Sequence, residues 1–191
     1  YFNEAIALHR KLGNKPDEAA AFAFLCRLYN DTGNFQKGFD ACREAHRIEI
    51  NNDPLTGYRI YMNFASLYGN SGDAESSLKF NAIALERLEI VKNHVNPFRK
   101  AFIKGNIGGI LLNRKQYAEA ERHFREALTI TEETKQTLYA GYILVRLALI
   151  YHETNRLTEA LEAARKAVEI YREENPVKIQ AALNALGKVQ F

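Results

Sequence analysis

Internal repetition constrains this chain more than any other feature of its sequence. Four segments, FLCRLYNDTGNFQKGFDACREAHRI, FASLYGNSGDAESSLKFNAIALERL, IGGILLNRKQYAEAERHFREALTI and LALIYHETNRLTEALEAARKAVEI, share one plan. Each runs from apolar residues through a large residue and a polar turn into a second stretch with small residues at helical spacing. Tyr29, Tyr68, Leu111 and Tyr151 mark the large position, at intervals of 39, 43 and 40 residues. Gly38, Ser77, Ala120 and Ala160 mark the small position at the same intervals. Two landmarks in step establish the repeat. A period in this range means stacked supersecondary units, none of which can bury its apolar face alone.

The units are helical. Apolar residues recur with a 3.6-residue period and show no sustained strand-type alternation. Asp53-Pro54, Asn96-Pro97 and Asn175-Pro176 each put a capping side chain before a proline at the first helical position, where no N–H is needed. Lys15-Pro16 opens a helix without such a cap, and Asn34, Asp73 and Asn155 are expected to cap second helices. The pattern predicts helices over 1–13, 16–32, 34–50, 53–71, 73–94, 97–113, 116–134, 137–154, 157–173 and 176–191. They group as the second helix of a truncated repeat (1–15), four repeats (16–52, 53–95, 96–135 and 136–174) and the first helix of a further repeat (175–191). On this reading the chain is cut from a longer protein. Leu183, Leu186 and Val189 give its last helix an apolar stripe that a missing partner helix would cover and that would favour self-association.

These residues resemble the tetratricopeptide repeat family, whose pattern is an aromatic, Leu-Gly and Tyr on the first helix, then Ala, an aromatic and Ala on the second. The matching positions are Phe22, Leu25-Cys26, Tyr29, Gly38, Cys42 and Ala45; Tyr61, Phe64-Ala65, Tyr68, Ser77, Asn81 and Ala84; Ile107-Gly108, Leu111, Tyr117, Ala120, Phe124 and Ala127; and Leu144, Leu147-Ala148, Tyr151, Ala160, Ala164 and Ala167. The resemblance implies an all-α fold, an α-solenoid of antiparallel helix pairs wound as a right-handed superhelix. The intervals exceed the family's usual ~34 residues by one to two helical turns. Longer helices are therefore expected, as in kinesin light chains, adaptors of spindle orientation and bacterial peptide-sensing regulators. Lys104 stands where the third repeat should carry its first large anchor, and Gly105, Gly108 and Gly109 crowd the same helix. Each surplus glycine weakens a helix by about 1 kcal/mol. That helix reads as the weakest of the array, through repeat drift rather than as a hinge.

Composition excludes other classes. Lys+Arg number 26 against 23 Asp+Glu, interspersed along the helices, which is the balance of a solvated surface and not of a nucleic-acid footprint. No apolar run approaches the ~20 residues of a membrane span. The five histidines show no metal-ligand spacing, and there is no phosphate loop and no nucleophile elbow. No catalytic residue, metal or cofactor is predicted, and the chain reads as no enzyme. Cys26 and Cys42 fall on facing positions of one hairpin and read as a buried thiol pair in a reducing, cytoplasmic setting.

In the family, extended peptides lie along the first helices. Carried onto this chain, the groove residues are Phe24 and Arg27, Arg59 and Asn63, Phe102 and Asn106, and Tyr142 and Arg146, with Asn184 and Lys188 on the last helix. Asn63 and Asn106 occupy equivalent places and can bond a peptide backbone whatever its sequence. Arg27, Arg59 and Arg146 suit carboxylates, so an acidic protein or peptide ligand is the expected partner. The chaperone-tail carboxylate clamp of some relatives is not reproduced. Two functions follow: an interaction scaffold, or a ligand-sensing module that controls an attached output domain in a signalling protein.

Overall fold

The structure, a computed structural model, describes residues 1–49, 53–91, 96–174 and 179–190. Ten helices and no strands are present among these residues: α1 Phe2–Lys11, α2 Lys15–Asp31, α3 Phe35–Glu49, α4 Pro54–Asn70, α5 Ala74–Ile90, α6 Phe98–Asn113, α7 Tyr117–Glu133, α8 Thr137–Glu153, α9 Leu157–Glu174 and α10 Ile179–Gln190. The Asn175-Pro176 cap, His94 and the centre of the predicted insert after α5 lie outside the described residues. So do the side chains of Leu186, Lys188 and Val189. The expected lengthening shows in α7, whose 17 residues run to Glu133, whereas α5 ends at Ile90 with Val91 as its C-cap, short of the predicted 94.

The chain divides into two compact units, Tyr1–Val95 and Asn96–Phe191. In the first, α2 pairs with α3 and α4 with α5, while α1 packs on α2. In the second, α6 pairs with α7 and α8 with α9, and α10 packs on α9 and α8. The small residues of the pattern explain the close pairing. Cys26, Ala45, Ala84, Ala120, Ala127, Ala148, Ala160, Ala164 and Ala167 are all fully buried. Large side chains fill the gaps around them. In the first unit Phe80 lies 4.9 Å from Phe64 and 5.3 Å from Tyr68, ring centre to ring centre. In the second, Phe124 is wholly buried against Gly108, where an added Cβ would meet its ring at 3.0 Å.

Local chemistry sets the helix ends. Asp53 accepts from the N–H groups of Leu55 at 3.1 Å and Thr56 at 2.9 Å, with Pro54 at the first helical position. Burial pulls the Asp53 carboxyl upward, but the Thr56 hydroxyl and these two N–H groups outweigh it, and its pKa is lowered. Asp73 caps α5 through the N–H of Ser76 at 3.0 Å. Three expectations need correction. Asn14 caps α2 after all, accepting from Asp17 N at 3.4 Å. Pro97 sits one residue before α6, although Asn96 still accepts from Phe98 N at 2.9 Å. Asn155 is a turn residue with φ 60°, doing what Gly33 and Gly72 do at earlier turns, because Asn tolerates the left-handed region.

The larger correction concerns the cysteines. Cys26 and Cys42 are joined in a disulfide that ties α2 to α3, with 5.2 Å between the Cα atoms. Both are fully buried as expected, but neither is a thiol. Facing small positions bring two Cα atoms to bridging distance. The argument for a reducing compartment falls with the bridge.

Candidate functional site

The two units treat their first helices differently. In Tyr1–Val95, α2 and α4 are stitched by side-chain amides. Asn30 Nδ2 donates to Ser66 Oγ at 2.9 Å, and Asn70 Nδ2 donates to Asn30 Oδ1 at 3.0 Å. Asn63 Nδ2 donates to the Ala23 carbonyl at 2.6 Å, so an amide expected to serve a ligand already serves the fold. Of the other residues read as groove contacts here, Phe24 is 45% exposed and stacks on Phe2 at 6.3 Å. Arg27 lies over the Phe24 ring at 5.7 Å, and Arg59 is exposed.

In Asn96–Phe191 the corresponding face is an open groove. Phe102 and Asn106 of α6, Leu138, Tyr139 and Tyr142 of α8, Tyr171 of α9 and Ala181 of α10 line a cavity of about 690 Å³. A smaller cavity of about 230 Å³ adjoins it, sharing Tyr142, Tyr171 and Ala181 and adding Val145, Arg146 and Asn184. Of the residues read from sequence in these two repeats, Phe102 and Asn106 line the larger cavity, Arg146 lines the smaller, and Tyr142 lines both. The side chain of Lys188 lies outside the described residues.

The walls are aromatic. Tyr139 stacks on Tyr142 at 5.4 Å, meets Phe98 edge-on at 5.2 Å and lies 5.8 Å from Phe102. Phe102 stays 41% exposed. The Arg146 guanidinium sits 5.0 Å over the Tyr142 ring, a cation–π contact, and no carboxylate pairs with it among the described residues. Its Nε is shielded from solvent and has no hydrogen-bond partner among them. No side-chain hydrogen bond of Asn106 is found among them either. Burial raises the pKa values of Tyr139 and Tyr171, with a further push from Tyr142, so both are neutral phenols at physiological pH.

Sequence reasoning missed Tyr139 and Tyr171. Tyr139 precedes Tyr142 by three residues on one helix and so shares its face, a signal that was present. Gly105 falls at a groove position of the family's register, but its contact with Tyr139 was not readable, because that neighbour lies on another helix. A Cβ at Gly105 would stand 2.2 Å from Tyr139 Oη, so this glycine makes room for a ring and is not repeat drift. Lys104, the missing anchor, pairs with Glu126 and is only 12% exposed. An ion pair across the hairpin stands where the pattern expects an apolar side chain.

The arrangement offers recognition chemistry: apolar walls, a cation with no carboxylate partner and one amide, that of Asn106, with no hydrogen bond among the described residues. No group of three or more His, Cys, Asp and Glu residues that could hold a metal ion occurs among the described residues. None of the described helices is long and apolar enough to cross a membrane.

Comparison with known proteins agrees with this architecture. Residues 100–173 match a tetratricopeptide repeat family model. Protein kinesin light chain-related 1 of Arabidopsis thaliana is 25% identical over 158 residues, which is 80% of this chain and 26% of that protein. The chain thus spans about a quarter of the length of that relative. Among solved structures, BtubC (BKLC) from P. vanneervenii superposes with a TM-score of 0.83 at 20% identity, over 98% of this chain and 80% of that one. A signal transduction ATPase with numerous domains from Pyrococcus horikoshii, which carries a tetratricopeptide repeat sensor, gives 0.81 at 19% identity, over 97% of this chain and 29% of that one. Residues 100–173 are tetratricopeptide repeats, and the fold of the chain is that of tetratricopeptide repeat proteins.

Proposed function

We propose that this chain is a non-catalytic binding module that holds an extended polypeptide in the groove of Asn96–Phe191. One observation carries the reading. The groove keeps Phe102 exposed, leaves the Asn106 side chain without a hydrogen bond and leaves the Arg146 Nε without an acceptor and its guanidinium without a carboxylate among the described residues, whereas most buried polar groups in proteins are paired. An acidic side chain on Arg146, an apolar side chain against Phe102, Leu138 and Tyr142, and a backbone bonded by Asn106 would satisfy all three. A strand advances about 3.3 Å per residue, so a peptide of roughly ten residues covers the groove. Phe24, Arg27, Arg59 and Asn63 are candidate contacts of the first unit in their own right, Asn63 through its free carbonyl oxygen.

Selection from a displayed library of random decapeptides tests this. Recovered peptides should be enriched in Asp or Glu together with large apolar residues. Their affinity should fall by about tenfold or more in Arg146→Glu, and added salt should weaken them in the same direction. Peptides that bind Arg146→Glu and Asn106→Ala as tightly as the parent would place binding elsewhere.

A second reading makes the chain the sensor of a larger regulator. The Pyrococcus horikoshii protein supports it, since its repeats are described as a sensor within a multidomain ATPase. The presence of a kinase, cyclase or DNA-binding domain in the same polypeptide as this chain would favour the sensor, and sequencing the transcript that encodes it decides between the two.

A further inference from the structure

We infer that Gly105 is the specificity-determining residue of this groove: by carrying no side chain it gives Tyr139 a seat on α6 and so holds the apolar pocket open. The inference rests on the groove reading above. Gly105 is buried in the middle of α6 with an ordinary helical backbone, so nothing in its conformation calls for glycine. Space does. A Cβ there would stand 2.2 Å from Tyr139 Oη, 3.2 Å from Tyr139 Cζ and 3.2 Å from Ile143 Cδ1. Carbon atoms pack at about 3.5–4.0 Å, so the phenol would have to retreat by more than about an ångström.

The direction of retreat is set by its neighbours. Ile143 is wholly buried and its Cδ1 also crowds the Gly105 position, Tyr142 stacks on the ring at 5.4 Å, and Phe98 closes on it at 5.2 Å. The open side is the groove itself. There the displaced ring would occupy the space beside Phe102 that a ligand's apolar side chain is read to fill. In its present seat Tyr139 Oη reaches the Phe102 carbonyl at 3.4 Å, which ties the ring to α6. Gly109 supplies the contrast. It lies one turn on, and a Cβ there would meet nothing nearer than Tyr142 Oη at 3.9 Å, an ordinary contact. The two glycines share a helix and a propensity, and only one guards the pocket.

Four variants of the full chain test the assignment: Gly105→Ala, Gly109→Ala, Tyr139→Phe and the double variant Gly105→Ala/Tyr139→Phe. Removing Oη takes away the 2.2 Å clash and leaves the 3.2 Å approach to Cζ, which a shift of a few tenths of an ångström relieves. The first readout needs no ligand. In fluorine NMR of the fluorotyrosine-labelled chain, the line missing from Tyr139→Phe belongs to Tyr139. It should move toward the free amino-acid position in Gly105→Ala and stay put in Gly109→Ala. An unmoved line in Gly105→Ala overturns the inference whether or not any peptide binds.

The second readout uses a capped decapeptide taken from the library selection, with its large apolar residue kept or replaced by alanine. The parent and Gly109→Ala should prefer the unreplaced peptide by about tenfold or more, the ratio expected for burying one large apolar side chain. Gly105→Ala should lose most of that preference while binding the alanine peptide as before, and the double variant should recover it. A preserved ratio in Gly105→Ala refutes the specificity role and leaves the groove reading standing. If no decapeptide binds the parent, the groove reading fails and takes the specificity role with it, even where the fluorine line has moved.

Discussion

Tyr1–Val95 and Asn96–Phe191 are built on the same repeat and use it to opposite ends. The first turns its polar residues inward: Asn30, Asn63, Ser66 and Asn70 bond one another or the backbone between α2 and α4, and a disulfide fastens α2 to α3. The second closes its hairpins with alanines and aromatics and leaves amide, guanidinium and rings along an open groove. A repeat thus specifies the hairpin and not the use of its exposed face. Use is decided by whether a neighbouring first helix supplies partners for the polar groups there.

The largest expected effect tests how the second unit is closed. Phe124 is fully buried between α6 and α7, against Gly108. Phe124→Ala should cost about 3–5 kcal/mol in denaturant unfolding. A loss below about 1 kcal/mol would show that the glycine–aromatic contact does not hold that hairpin.

Next comes the staple of the first unit. The bridge closes a loop at a sequence separation of 16. Removing it should cost about 3 kcal/mol by loop entropy. The unreduced chain should therefore melt higher than the reduced one, and a Cys26→Ala/Cys42→Ala variant should be indifferent to reductant. A free-thiol assay that finds two titratable thiols in the unreduced, denatured chain would remove this difference between the units.

What was legible beforehand follows the range of the interactions. The ten helices and the hairpin phase were readable because periodicity, the Asp53-Pro54 cap and the small positions are local in sequence. Phe102, Asn106, Tyr142 and Arg146 were also singled out, since equivalent positions of neighbouring repeats must share a face, and they line two cavities that share Tyr142. The pairing of Cys26 with Cys42, the seat of Tyr139 on Gly105 and the bond from Asn63 to the Ala23 carbonyl were not. Each joins residues on different helices, and its geometry is fixed only once the helices are packed.

A third prediction concerns Glu18, the buried acid that joins α1 to α2. Its carboxylate is 1% exposed and accepts from Lys15 Nζ at 2.9 Å and Arg10 Nε at 2.8 Å. The hydrogen bond from Lys15 lowers its pKa most, burial opposes this, and Arg10 adds to the lowering. A depressed folded-state pKa gives stability that is present above the unfolded value and is lost as pH falls through the folded one. Glu18→Gln should therefore cost roughly 1.5–3 kcal/mol at neutral pH, the range for hydrogen bonds to a charged group, and much less in acid. Equal destabilisation at both ends of a pH series would assign the loss to packing and not to charge.

The smallest effect separates the two units most directly, because it sets two asparagines of equivalent repeat position against each other. Asn63 gives its Nδ2 to the Ala23 carbonyl, while the Asn106 side chain has no bond among the described residues and lines the groove. Losing one neutral hydrogen bond costs about 0.5–1.5 kcal/mol, and the cost falls on whichever equilibrium the bond belongs to. Asn63→Ala should thus lower the unfolding free energy by about 1 kcal/mol and leave the affinity of a peptide held in the groove of Asn96–Phe191 nearly unchanged. Asn106→Ala should leave stability nearly unchanged and weaken a groove-bound peptide by about 1 kcal/mol, close to fivefold. The two variants need both measurements, denaturant midpoint and peptide titration. If Asn63→Ala spares stability and weakens the peptide, Asn63 belongs to a binding surface of the first unit. The contrast between a self-satisfied face and an open one would then be wrong at the residue that states it most sharply.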